Sequence, residues 1–429
     1  MTTVFCAPPD LIPLQRLDSI VYFSMYKHEG LPDVSTIGTS LIDELRRDGI
    51  QASNASWDFL TLALAVNAAD HAVLRSRSAD GWTRTIDLHV VLYEPAPFQG
   101  LATEIQQALR FLTGDFWTIT FLSGGYPPPI PKNRSVNKHA NCVSLLSGGL
   151  DSLIGAIDLR AKGLKPLLVS HMAKGDSPTQ RLYAKTLSAA DFHTQWNQNV
   201  WIKPKRSGED STRARSIVFF AFAAVVADNR STAVGDGPID VYVPENGLIS
   251  LNVPLNPGRV GSLSTKTTHP IFMERLQSIW TKLGIPVHLL LPYAYMTKGE
   301  MMSACLDQTA LTTFAGSSTS CGRYAVNGLQ HCGRCVPCMV RRAAFVRSGI
   351  ADTTKSYVNH DLRTGQTASG ANDVAAVGAA VCKVKQNGIR SFTAGQFAFA
   401  NPARRSEYEG VVERGLDELA TLLKMYNLL

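Results

Sequence analysis

No apolar run in this chain is long enough to cross a bilayer. The longest, IVFFAFAAVVA at 217 to 227, falls well short of the ~20 residues a membrane helix needs. It reads instead as a helix buried in a protein core. The amino terminus, MTTVFCAPPD, lacks the basic start and apolar stretch of a signal peptide, so a cytoplasmic protein is expected. No internal repeat and no low-complexity tract are visible, which excludes a repeat array. No glycine-rich loop ends in Gly-Lys-Ser or Gly-Lys-Thr, which excludes a Walker-type phosphate loop. There is also no concentrated basic stripe. The 42 basic and 35 acidic residues leave a net charge of +7 spread along the chain. That suits a polyanionic ligand such as a nucleotide, while nucleic acid is not expected as a direct ligand.

What is present describes a globular protein, with 45% hydrophobic and 18% charged residues. At 429 residues, two or three domains are expected. Residues 1–123 read as an α+β accessory domain that could meet a partner. SIVYFSMY (19–26) and RTIDLHVVLYE (84–94) are strand-like, whereas WDFLTLALAVNAADHAV (57–73) and LATEIQQALRFL (101–112) have the spacing of amphipathic helices. DGW (80–82) marks a turn, and the proline-rich stretch 124–141 reads as a linker.

From 142 to 310 the pattern alternates. CVSLL, PLLVSHM, TQWNQNVWI and IDVYVPE are short and apolar or β-branched, with helical patterns between them. That argues for a parallel sheet covered by helices. Residues 311–348 hold a cysteine cluster. The remainder, 349–429, ends in the amphipathic pattern RRSEYEGVVERGLDELATLLKMYNLL, expected to be a helix on the surface or at a partner. Trp57, Trp82 and Trp201 read as core or interface residues.

CVSLLSGGLDSLIGAIDL, starting at Cys142, predicts a strand, a tight turn and a helix. Glycines at 148 and 149 permit unusual backbone angles and let an anion approach the main chain. The free amides at the helix start then form an anion site, to which Ser147 and Ser152 add hydroxyls. Asp151 is out of place beside bare phosphate and makes sense as a ligand to Mg²⁺ bridging phosphate oxygens. The bland alternative is a strand-to-helix turn with an Asp-Ser cap. The full string Ser147-Gly148-Gly149-Leu150-Asp151-Ser152 resembles the loop of the PP-loop ATP pyrophosphatases (adenine nucleotide alpha hydrolase-like). That resemblance implies ATP as substrate, cleaved between the α and β phosphates.

Of eight cysteines, four cluster as Cys321 followed by Cys332, Cys335 and Cys338. The two-residue spacings turn successive thiolates toward one tetrahedral ion, with Gly333 and Pro337 shaping the turns. Four soft ligands favour Zn²⁺, with an iron–sulfur cluster or free core cysteines as the other readings. Four thiolates leave no open coordination position, so such a zinc ion would be structural. His331 is taken as a bystander.

The loop, Ser320-Cys321, the Cys332–Cys338 run with Arg341, and MTKGEM at 296 to 301 together resemble the 7-cyano-7-deazaguanine synthase (QueC) family. Thr297 and Glu300 read as a capping box that leaves Lys298 exposed toward phosphate. The resemblance covers roughly 142–348. It implies ATP, Mg²⁺, structural Zn²⁺ and a 7-carboxy-7-deazaguanine-like substrate that is adenylated and then attacked by an amine. The departures, SHMAKGDSPTQ (170–180) and PENGLISLNVPLNPGRVGSLSTKTTHP (244–270), and the added amino-terminal segment with DGWTR resemble the QueC-like proteins of anti-phage Qat operons. There the acceptor would be the amino terminus of a partner protein from the same operon rather than ammonia.

Further candidates are graded by place. Arg213 and Arg215, at the start of the buried helix, are expected at the α-phosphate or the substrate carboxylate. His171, ending the second strand of the sheet, is placed near adenine. Glu245 and Asn246 follow a strand at the carboxyl end of the sheet, where a carboxylate would accept from a guanine-like base. Lys266 and His269 lie on the loop after them as substrate contacts. Replacing Asp151 with Asn is expected to abolish ATP turnover with folding unchanged. A tRNA-modifying PP-loop enzyme and a non-catalytic nucleotide-binding scaffold are the alternatives.

Overall fold

The computed structural model describes residues 1–27, 33–134, 139–172, 175–187, 189, 192–204, 208–235, 237–255, 266–364 and 373–429. Parts of the stretches 124–141, 170–180 and 349–429, and the glycine-rich loop at 256–265, lie outside them.

The chain builds two five-stranded sheets. The first holds β1 (Thr2–Ala7), β2 (Ile20–Met25), β3 (Ser35–Ile37), β4 (Thr85–Leu92) and β5 (Phe116–Ser123). Its order is β3-β2-β1-β4-β5 and every pairing is parallel. The second holds β6 (Cys142–Leu145), β7 (Pro166–His171), β8 (His193–Trp196), β9 (Ile239–Tyr242) and β10 (Val287–Leu290). Its order, β10-β9-β6-β7-β8, repeats the same scheme, again all parallel. Each sheet therefore starts at its centre, grows to one edge, and returns to grow from the centre to the other.

This corrects the α+β expectation for the amino-terminal region. β1, β3 and β5 are extra strands beyond the two read from the sequence. The stretches 38–84 and 93–115 carry the helical crossovers by which a chain returns to run parallel in the same sheet.

Helices fill the connections. In the first half they are α1 (Leu41–Arg47), α2 (Asn54–Ala72), α3 (Ala96–Gln99) and α4 (Ala102–Thr113). In the second they are α5 (Leu150–Ala161), α6 (Ser177–Thr186), α7 (Arg215–Val234), α8 (Gly247–Leu251), α9 (Pro270–Lys282), α10 (Lys298–Ala304) and α11 (Gln308–Phe314). Three more close the chain: α12 (Val336–Ser348), α13 (Asp373–Phe392), broken at Gly388, and α14 (Pro402–Lys424).

α2 is not a half-exposed amphipathic helix: Ser56 to Asp70 are all buried. It lies between the first sheet and α7, and residues of both sheets join one hydrophobic core. Two of its polar residues satisfy neighbouring groups. Asp58 accepts from the Tyr93 and Glu94 amides at 2.8 and 2.7 Å, and the Thr61 hydroxyl pairs with the Tyr26 hydroxyl at 2.6 Å. Apolar periodicity cannot distinguish a polar residue facing water from one capping a neighbour's backbone.

The sheets are also tied at their edges. Thr36 of β3 and Trp201 after β8 exchange backbone hydrogen bonds of 2.9 Å. Trp57 is fully buried as expected, but the Trp201 ring is 62% exposed. The proline-rich stretch lies on this assembly: the Trp57 indole donates to the Tyr126 carbonyl at 2.7 Å, and Arg134 donates to Asn229. The carboxyl-terminal pattern forms α14, which packs on α8, α12 and α13 around a second core including Tyr408, Val411, Leu416 and Leu423. Among the described residues no helix is long and apolar enough to cross a membrane.

Candidate functional site

The second sheet reverses direction between β6 and β9, and ligands of open parallel sheets bind beyond the strand ends at such a point. The predicted loop lies there. Gly148 has φ +90°, a conformation side-chain-bearing residues rarely adopt, and Gly149 is the N-cap of α5. A Cβ on Gly149 would stand 3.2 Å from both Ser147 Oγ and the Thr319 carbonyl, so a side chain there would press both neighbours back by a few tenths of an ångström. The Gly149 amide donates to Ser147 Oγ at 3.2 Å, and Ser152 Oγ donates to the Gly149 carbonyl at 2.9 Å. The Ser147 and Ser152 hydroxyls are 3.1 Å apart.

Asp151, on the first turn of α5, is buried and fully engaged. Lys298 Nζ donates to Oδ1, while the Asn246 amide and side chain donate to Oδ2 at 3.2 and 2.7 Å. Burial opposes its charge, but the Lys298 ammonium and hydrogen bonds from Glu245, Lys298 and Asn246 prevail and hold its pKa low. Glu245 responds in the opposite direction. Burial and the adjacent Asp151 carboxylate raise its pKa well above normal, so it carries the proton shared with Asp151.

Two helix starts deliver these partners. Asn246 caps α8, its side chain accepting from the Ile249 amide at 3.1 Å. Thr297 caps α10 through the expected capping box: its hydroxyl accepts from the Glu300 amide at 3.1 Å, and Glu300 accepts from the Thr297 amide at 2.8 Å. Lys298 departs from the sequence reading. It is only 6% exposed and its ammonium is committed to Asp151.

The cysteine segment docks on the loop. The Thr319 amide and hydroxyl donate to the Gly148 carbonyl at 2.9 and 3.2 Å, and that hydroxyl lies 3.1 Å from Asp176 Oδ1. Buried Arg341 reaches Ser318, Ser320 and the Ala315 carbonyl, fixing the stretch between α11 and Cys321. Beyond it, the sulfurs of Cys321, Cys332, Cys335 and Cys338 all lie within 4.8 Å of one another, the arrangement needed to hold one ion. Gly333, at φ +83°, lets the Asn359 carbonyl within 2.2 Å of where its Cβ would be. His331 stands outside the thiol set; its Nε2 accepts from the Ser320 amide at 3.2 Å.

The remaining candidates separate. His171 ends β7 and is buried against Phe222 and Phe219, at centroid distances of 5.8 and 6.3 Å. Its Nε2 has no hydrogen-bond partner among the described residues, and burial lowers its pKa to about 3. Arg215 opens α7, is exposed, and acts electrostatically on His171 and Asp176. Arg213 does not face the loop. Its guanidinium lies 4.7 Å from the Trp82 ring, which Arg75 also approaches at 5.0 Å, and Asp70 accepts from the Arg213 and Ala214 amides at 2.5 and 2.6 Å.

Lys266 and His269 sit against α4: the Lys266 ammonium is 4.6 Å from the Phe111 ring, and His269 packs between Phe111 and Phe399. Neither touches Asp151. Alternating basic residues predict opposite faces of the helix start, but not which face meets the ligand. Thr319, Asp176 and Gln180, which donates to the Ser147 and His171 carbonyls at 3.1 Å, were not legible as site residues. Their spacing matches no ligand pattern; they meet the loop only through the fold.

A cleft of about 180 Å³ lies at the loop, lined by Ser147, Asp151, Ser152, Glu245, Lys298 and Ser320 among others. A larger cavity of about 470 Å³ lies behind α10, against α12 and α14, and has none of the loop residues on its wall. The chemistry selects the smaller.

No family model matches the chain. A curated relative from Cupriavidus necator, 7-cyano-7-deazaguanine synthase, is 27% identical over 234 residues, half of this chain and 96% of that protein. This chain is similar to 7-cyano-7-deazaguanine synthases. The protein of that name from Cupriavidus metallidurans is 26% identical over 232 residues, covering 50% of this chain and 96% of the relative. The one from Agrobacterium fabrum is 29% identical over 152 residues, 35% of this chain and 53% of the relative. The similarity thus takes in nearly all of two of these synthases and leaves half of this chain outside it.

Proposed function

We propose that this chain is an ATP-dependent C–N bond-forming enzyme acting on an acid of the 7-carboxy-7-deazaguanine type. The observation that carries this reading is the Ser147–Ser152 loop at the sheet's reversal point, with Asp151 in contact with Lys298, Asn246 and Glu245. The carboxylate oxygen attacks the α-phosphorus of ATP, the bond to pyrophosphate breaks, and an acyl adenylate forms. An amine nitrogen then bonds to the acyl carbon, AMP leaves, and one amine proton is released to solvent. The enzyme's share is positioning and electrostatic stabilisation. Loop amides and the Ser147 and Ser152 hydroxyls face the phosphates. Lys298 offers its ammonium, and Arg215 offers a second cation beside His171, where the adenine would lie.

The Asp151 carboxylate and the serine hydroxyls are hard oxygen donors and fit Mg²⁺, which would neutralise phosphate charge. With Mg²⁺ held at Asp151, the Lys298 ammonium would be the neighbouring cation available to phosphate. Four thiolates fit Zn²⁺ with no open position, so that ion would brace Ser318–Ser320 against the loop. Glu245 and Asn246 would meet the base of the acid.

For the acceptor we propose the amino terminus of a partner protein in an anti-phage operon. The first sheet and its helices, packed through α2 and α7 onto the proposed ATP domain, provide surface that ammonia would not require. The names of the relatives favour the other reading, a free synthase that continues to the nitrile. Intact-mass spectrometry after incubation with Mg·ATP, 7-carboxy-7-deazaguanine and neighbouring operon proteins separates the two. A partner heavier by the acid minus water supports protein ligation. Nitrile formed on adding ammonium, with the partner unchanged, supports the synthase. No conversion of ATP to AMP sinks both.

A further inference from the structure

The carboxyl-terminal helix lies outside the 142–348 stretch that resembles the synthases, yet it reaches both helix starts that hold Asp151. On one side Gly415 of α14 meets α8: a Cβ there would stand 2.6 Å from Leu248 Cδ2. Asn246, which grips Asp151 Oδ2, caps that same short helix. On the other side Glu418, 7% exposed, accepts the Thr297 hydroxyl and the Gly299 amide. These are the residues flanking Lys298.

The hydrogen-bond count makes Glu418 specific. The Thr297 oxygen already accepts from the Glu300 amide, so its own proton needs an acceptor elsewhere. Gly299 has an amide near the start of α10, where no intrahelical carbonyl can receive it. Glu418 takes both. A Cβ on Gly299 would lie 2.5 Å from Glu418 Oε1 and 2.7 Å from Arg347 Cγ, so the glycine of the Thr-Lys-Gly-Glu string is what admits this carboxylate. α10 has only seven residues, too few to hold its first turn without outside contacts.

We propose that Glu418 is a positioning residue for Lys298, so that α14 is a working part of the Asp151 site. The proposal rests on the reading of Ser147–Ser152 as an ATP site. Mg·ATP binding is measured by calorimetry on the full chain. E418A weakens it at least tenfold, E418Q, which keeps the acceptor oxygen, stays within about threefold of wild type, and L423A, which loosens α14 in its apolar core, lowers Tm without changing Kd. Equal affinity in E418A and wild type, or equal weakening by L423A, overturns the proposal. A second readout needs no nucleotide. The stability coupling between Asp151 and Lys298, taken from D151N, K298M and the double variant, shrinks by at least half in an E418A background. An unchanged coupling overturns the positioning role whether or not ATP binds, whereas a wild type that binds no Mg·ATP overturns only the ATP reading.

Discussion

The ammonium of Lys298 meets the carboxylate of Asp151 across 147 positions of sequence, and both side chains are more than nine-tenths buried. An ion pair in such surroundings contributes little net stability, because desolvating both charges offsets their attraction. Removing one partner alone leaves a buried charge without compensation.

K298M and D151N should therefore each lower stability by roughly 3 kcal/mol as well as abolish ATP turnover. Folding should thus depend on Asp151, contrary to what a phosphate loop on its own suggests. The double variant should be more stable than the sum of the two losses predicts, by 1 kcal/mol or more in the order-of-magnitude sense. Urea denaturation of the four proteins measures this. Strict additivity would mean that the two groups do not interact in solution.

The parts read correctly from sequence are local. Ser147–Ser152 encodes a turn through two glycines and a helix start, and the Thr297/Glu300 capping box needs three-residue spacing alone. The cysteine spacing brings four sulfurs together for a similar reason, since three of them lie within seven residues. What sequence did not disclose depends on distant packing: Lys298 turned inward, Thr319 on the Gly148 carbonyl, Glu418 behind Thr297. β1 was missed because TTVFCA carries no turn signal on its amino side, and without it the first sheet could not be read as parallel.

Arg213 and Arg215 should behave differently although they are two residues apart. Arg213 is buried between Trp82 and the Asp70–Arg84–Asp115 cluster, so R213A should lower Tm with the nucleotide affinity of the remaining folded protein close to wild type. Arg215 is exposed beside His171, so R215A should keep Tm and weaken ATP binding about tenfold or more, as loss of a charge-assisted contact does. Thermal denaturation with and without ATP separates the two. A reversal of the pattern would move the ligand to the Trp82 side.

Purified protein should hold one zinc ion per chain by elemental analysis, and C335S should lose it. Because Cys335 caps α12 and Arg341 of that helix grips Ser318 and Ser320, metal loss should loosen the segment that touches Gly148. Chelation should therefore lower both Tm and ATP affinity, although the metal takes no chemical part. Chelation that lowers Tm while leaving ATP affinity intact would uncouple the cluster from the loop.

Acid should destabilise the protein through His269. This ring is buried between Phe111 and Phe399 beside Lys266, and burial, reinforced by that ammonium, lowers its pKa to about 4. The folded protein thus binds the proton less readily than the unfolded chain, whose histidine titrates near 6.5. The sign follows: stability is fully present above pH 6.5 and is lost progressively as pH falls toward 4. At pH 5 the loss from this one residue is about 2 kcal/mol. H269N tests it cleanly, because His269 caps α9 by accepting from the Ile271 amide at 3.3 Å and asparagine is a good cap that does not titrate. The stability difference between pH 7.5 and pH 5 should shrink in H269N by about 2 kcal/mol relative to wild type. An unchanged difference would mean that His269 is protonated in the folded state, and its place between two aromatic rings next to a lysine would then need another negative group close by.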